Sequence, residues 1–224
     1  MSFLTAPYYF KWRFNMRFLS LSLVVLCFSL TALGFSNTTL ADGTAISKVL
    51  HQTPTNAAFS MCYGGGCAEV VALNLTDAEW QIITQTFMPK PANAEQERTA
   101  ISQAIGVFEQ IVGKKTNTSD DKAGTFGNSK FQNQLDCNDE AANTTNYMRL
   151  LQAAGYLQFH QIIDTKTRGY FINGWPHSTA AIQEVSNNEK FAVDSWFYDN
   201  GQPATIVPLA LWKSGWKPEK AIAH

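Results

Sequence analysis

Leu135-Asp136-Cys137-Asn138-Asp139-Glu140-Ala141 opens an apolar helix, and the change of pattern behind it decides the fold. Ala141, Tyr147, Met148, Leu151 and Ala154 recur at three- and four-residue intervals and Gly155 supplies a stop, which predicts a helix over 137–154. Beyond Gly155 the period becomes that of strands. Apolar or alternating runs at 157–165, 170–173, 179–185, 191–197 and 204–212 are separated by Lys166–Gly169, Ser186–Glu189 and Asp199–Gly201. Such turn sequences predict hairpins and hence an antiparallel sheet.

Upstream the pattern is helical. Thr76-Asp77-Ala78-Glu79 is a capping box ahead of Trp80, Ile82, Ile83 and Phe87, predicting a helix over 77–88 that Pro89 and Pro91 terminate. Asn93 starts a second, with Ile101, Ile105, Phe108, Ile111 and Val112 on one face and Gly113 as its expected end. Residues 114–135 read as a long polar surface loop, a length that is often functional. Helices first and strands afterwards give an α+β class: N-terminal helices, plus the helix that begins at Cys137 packed on an antiparallel sheet.

The first 41 residues carry Lys11, Arg13 and Arg17, no acid, the apolar run Phe18–Phe35 and small residues in Thr39-Leu40-Ala41. This fits a signal peptide over 1–41, cleaved before Asp42, which directs the chain outward to a secreted or periplasmic location, free of the membrane after cleavage. A retained anchor is the alternative, since about 18 apolar residues can just span a bilayer. Leu26 before Cys27 is too large for the usual lipoprotein site. The remainder, 42–224, has a length that favours one domain. It holds 14 Lys and Arg against 18 Asp and Glu without basic blocks, which argues against nucleic acid as a partner.

Cys62, Cys67 and Cys137 remain beyond residue 41, an odd set. Cys62 and Cys67 bracket Tyr63 and three glycines, whose flexibility lets the chain turn back into a disulfide. Metal ligation by this pair, or two free thiols, is the alternative. No second Cys or His pair completes a familiar four-ligand spacing, so no metal and no cofactor are expected. Cys137 is left as the free thiol.

A thiol at a helix start meets the partial positive charge of unpaired amides, which favours a thiolate; a small buried hydrophobe is the other common use of such a cysteine. Asp136 and Asp139 oppose the thiolate. His177 enters a strand after Pro176, a rigid position for a general base, and His160, in Leu157-Gln158-Phe159-His160, is its competitor. Asp194 interrupts Phe191-Ala192-Val193-Asp194-Ser195-Trp196, where a carboxylate needs a partner: an imidazole to orient, or a structural cation such as Lys190 or Arg149. Four Asn-X-Ser/Thr sequons stand at Asn37, Asn74, Asn117 and Asn143, and a glycan at Asn143 would sit on the Cys137 helix.

Taken together, these residues resemble the transglutaminase-like superfamily, which places a Cys at a helix start and a His and an Asp on adjacent antiparallel strands. The match runs through Cys137 and Ala141, Leu150-Leu151-Gln152-Ala153-Ala154-Gly155, His177 with Ile182 and Glu184-Val185, and Val193-Asp194-Ser195-Trp196. It covers about residues 130–200. The resemblance implies acyl transfer by a Cys137-His177-Asp194 triad on a protein or peptide amide substrate, with hydrolysis as a peptidase or amidase favoured over amine transfer. The Cys137 backbone amide is the oxyanion candidate, with Gln132 or Gln134 as side-chain helpers. A papain-like cell-wall endopeptidase is the enzymatic alternative, and a catalytically inactive secreted binding domain is the other.

Overall fold

The computed structural model describes residues 43–126, 133–169 and 176–219. The expected signal peptide, the expected strand at 170–173 and Gln132 lie outside them. Among the described residues five α-helices and two antiparallel sheets form an α+β architecture. Helix α1 is Gly43–Leu50, and a hairpin follows, β1 Phe59–Tyr63 and β2 Glu69–Leu73. Next come α2 Asp77–Thr84, a short 3-10 turn, α3 Ala94–Thr116 and α4 Cys137–Ala153. The second sheet is β3 His160–Arg168, β4 His177–Glu184, β5 Lys190–Asp194 and β6 Thr205–Pro208, paired in chain order, and α5 Leu209–Lys213 follows β6.

Helix α4 is central among the described elements. All of its residues from Asp139 to Met148, with Leu150 and Leu151, are buried, because β4 covers one side and β1 and α1 the other. Two of its buried asparagines are spent on backbone. Asn143 bonds both the N–H and the C=O of Cys62, each at 2.8 Å, and Asn146 donates to Ser60 O, so α4 acts as a further partner for the β1 edge. This burial removes Asn143 from reach as a glycan acceptor in the folded chain. Tyr147 stacks on Phe108 of α3 at 4.6 Å and 4°, tying the helices into one core with Ile101, Ile105, Met148, Leu151 and Ile182.

The capping box of α2 and the Asn93 cap of α3 form as the sequence predicts. Helix α3, however, runs through Gly113 to Thr116 and ends on Asn117 in the left-handed conformation. Gly113 is there for close approach: a Cβ would lie 3.2 Å from the Ser119 backbone and 3.0 Å from Asn200 Nδ2. The run 204–212 is not one strand. Pro208 ends β6, and Leu209 to Lys213 turn into α5, whose Leu209 and Trp212 pack on Ala192. The β1–β2 hairpin carries no signal that the sequence reading used.

Candidate active site

The helix start that carries Cys137 is built from two carboxylates and a disulfide loop. Cys62 and Cys67 are joined, as expected, and the loop between them runs through left-handed backbone at Gly64, Gly65, Gly66 and Cys67. The N–H groups of a tight turn can form a concave site for an anion. Here they converge on α4: Gly65 and Cys67 donate to Asp139 at 2.7 and 2.6 Å, and Gly66 donates to Asp136 at 3.0 Å. Asp136 and Asp139 also cap one another's backbone in a capping box. The close approach of Cys62, Cys67 and Asp139 is thus a hydrogen-bonded clamp on a disulfide, with the two sulfurs committed to each other.

The capping box decides the state of the thiol. Asp136 Oδ1 accepts from Asn138 N–H and Asp139 N–H, so those two amides are neutralised by a carboxylate. Cys137 is 5 % exposed. Burial pushes its thiol up to about 12, the Ser178 N–H opposes this, and the carboxylates of Asp136, Asp194 and Asp139 add to it. The expected thiolate at a helix start is therefore not what this environment favours. The Cys137 N–H, the expected oxyanion donor, stands at the first helical position, where the helix itself offers it no acceptor. Gln134 does not share that role: its side chain accepts from Lys122 N–H and Thr125 and donates to Asp120 O, pinning the 120–125 segment.

Strand β4 brings His177 to the same place. Cys137 Sγ lies 4.0 Å from Pro176 O and faces the Ser178 N–H, so the thiol sits against the backbone on both sides of His177. The imidazole is fixed from the far side. Asp194, at the end of β5, accepts from His177 Nε2 at 2.7 Å. A carboxylate oxygen can only accept, which puts the proton on Nε2 and leaves Nδ1 a lone-pair acceptor. Nδ1 is buried and has no hydrogen-bond partner among the described residues. Trp196 at 4.5 Å and Phe197 and Trp212 at 5.4 Å enclose the ring, and Trp196 and Phe197 also pack on Cys137.

His160 stands elsewhere. It pairs with Glu184 at one end of the β3–β4 ladder, whereas His177 pairs with Arg168 at the other. The seven-residue offset is about 23 Å of strand. Glu97 receives the N–H groups of Gln158, Phe159 and His160 and also His160 Nδ1, so His160 belongs to a structural junction with α3. Nor is Asp194 paired with Lys190 or Arg149. Its partners are His177 and the Trp212 indole, and Arg149 donates to Leu50 O.

Glu109 and Asp121, buried along with Asp139 and Glu140 of α4, escaped the sequence reading as a group. Glu140 accepts from Ser195 Oγ, Glu109 accepts from Gly201 N–H, and Asp121 accepts from Leu135 N–H. Burial pushes Glu109 up to about 8 and Asp121 and Asp139 up to about 7, and raises Glu140 well above the usual range. Glu109 Oε1 is left without a partner among the described residues. Each acid follows an apolar or polar neighbour in a helix or loop, where a solvated face is the ordinary inference, so only tertiary packing reveals the cluster. No family model, no curated protein and no solved structure matches this chain.

Proposed function

We propose that this chain is a cysteine-dependent acyl-transfer enzyme, a peptidase or amidase of transglutaminase-like fold that acts on protein or peptide amides outside the cytoplasm. One observation carries the reading: Asp194 fixes His177 by Nε2 and leaves a buried, unpartnered Nδ1, while the Cys137 thiol lies 4.0 Å from the carbonyl of Pro176, the residue before His177. A buried imidazole nitrogen without a partner is costly, and a general base awaiting a thiol proton accounts for it. The Cys62–Cys67 disulfide suits an oxidising compartment.

In this mechanism the resting thiol is neutral. His177 Nδ1 takes the Sγ proton as sulfur attacks the substrate carbonyl carbon, and the Cys137 N–H receives the developing oxyanion. Asp194 accepts from Nε2–H throughout and supports the imidazolium. Collapse of the tetrahedral intermediate passes the proton from Nδ1 to the leaving amine and leaves a thioester on Sγ. Water, activated by the same nitrogen, then releases the acid; an amine in its place would give transamidation.

The burial of Cys137, with its thiol pushed up to about 12, favours a second reading, a secreted binding domain in which the thiol is only packed. An activated acyl donor separates the two without knowledge of the natural substrate. Mixed with a peptide p-nitrophenyl ester, the enzyme releases a burst of one p-nitrophenolate per chain and carries the acyl mass on Cys137, and Cys137→Ala abolishes both. A folded chain with neither burst nor adduct is a binding domain.

A further inference from the structure

We infer that Trp212 is a positioning residue of this site: its indole N–H locks the Asp194 carboxylate, and through it the proton-bearing nitrogen of His177. The inference rests on the acyl-transfer reading for its purpose and on independent geometry for its substance. Asp194 Oδ2 accepts two hydrogen bonds at 2.7 Å, one from His177 Nε2 and one from Trp212 Nε1. Two donors on a single oxygen define the plane and rotation of the carboxylate, whereas the imidazole alone would let it swing about its own bond. An indole N–H can only donate, so it supports the carboxylate as an acceptor and leaves the Nε2 proton on the imidazole. A buried carboxylate with donors of this kind is the group that holds a general base in one tautomer.

The indole is itself held in place. Trp212 is fully buried, and its ring lies 5.4 Å from the His177 ring at 36°. The Arg168 guanidinium sits 4.4 Å from the centre of its ring and donates to the carbonyls of Trp212 and Trp216, which ties β3 to the end of α5. A cation over an indole ring is attracted by the ring quadrupole, which helps to fix the ring. Leu209, Trp212 and Ala192 pack α5 against β5, the strand that carries Asp194. The short helix after β6 therefore delivers a fourth member to the Cys137-His177-Asp194 set from outside residues 130–200.

Trp212→Phe keeps most of the ring and removes the donor. Two-bond proton–nitrogen spectra of histidine-labelled protein report which nitrogen of His177 carries the proton, whether or not Cys137 reacts. The wild type shows one Nε2–H tautomer; Trp212→Phe shows a tautomer mixture and an acylation rate by the p-nitrophenyl ester lowered about tenfold, the loss of one hydrogen bond to a charged group. If Trp212→Phe does not fold, site-specific replacement of the indole by the isosteric benzothiophene of 3-benzothienylalanine removes the same N–H without the change of shape. A folded variant that retains the single Nε2–H tautomer and the wild-type rate overturns the inference. A disturbed tautomer in a chain whose wild type never acylates supports the positioning by Trp212 and sinks the catalytic reading alone.

Discussion

His177 and Asp194 show how one pair of atoms constrains the chemistry. Once Nε2 is committed to Asp194, only Nδ1 can serve as base, and Nδ1 is the nitrogen left empty. Asp194→Asn tests this pair. An amide can donate to the imidazole where the carboxylate could only accept, which favours the wrong tautomer, so acylation of Cys137 should fall by about a thousandfold while the fold persists. An unchanged rate in the folded variant would show that Asp194 is structural. Much of this was legible at the residue scale: Cys137 at a helix start, His177 at a strand start and Asp194 as a carboxylate in an apolar strand are all where the pattern put them. The state of the thiol was legible only in the opposing charges of Asp136 and Asp139. A helix start favours anions only while its amides are free, and Asp136, adjacent in sequence, consumes two of them.

At the scale of elements, turns and caps were readable because their chemistry is local. Asn188 with positive φ lies in the turn between β4 and β5, Gly155 ends α4, and both are written in the sequence. The run 204–212 misled because β6 and α5 are apolar in succession, and periodicity cannot divide four residues of strand from five of helix; Pro208 marks the boundary. Glycines inside α3 were equally ambiguous. Gly106 is no defect of the helix: a Cβ there would lie 2.9 Å from the Gln202 carbonyl carbon and oxygen and from Gly201 O, all backbone. Gly106→Ala should therefore destabilise by about 1–3 kcal/mol through overpacking, although alanine in a solvent-facing helix would gain about 1 kcal/mol. Urea unfolding decides the sign, and a more stable variant would show that the 199–202 turn can yield.

For the molecule as a whole, the buried acids set how stability varies with pH. Glu109, pushed up to about 8, and Asp121 and Asp139, pushed up to about 7, hold their protons in the native state at pH values where the unfolded chain has lost them. The native state then binds more protons than the unfolded state, so stability is fully present below about pH 4 for these groups, declines as pH rises, and levels off above about pH 8. Thermal midpoints should be higher near pH 5 than near pH 8, and Glu109→Gln should flatten the slope. A midpoint that rises over the same interval would contradict the burial assigned to these carboxyls.

The central claim is that His177 removes the proton from a buried Cys137 thiol, and its most direct measurement is the rate of iodoacetamide labelling at Cys137 near pH 7, located by mass spectrometry, in the wild type and in His177→Ala. A thiol pushed up to about 12 has almost no thiolate of its own at that pH, so labelling must draw on the base. The account predicts modification of Cys137 in the folded wild type and a loss of about a hundredfold or more in folded His177→Ala. Equal rates in the two proteins, or no labelling of Cys137 before denaturation, would contradict it and leave a packed cysteine in a binding domain.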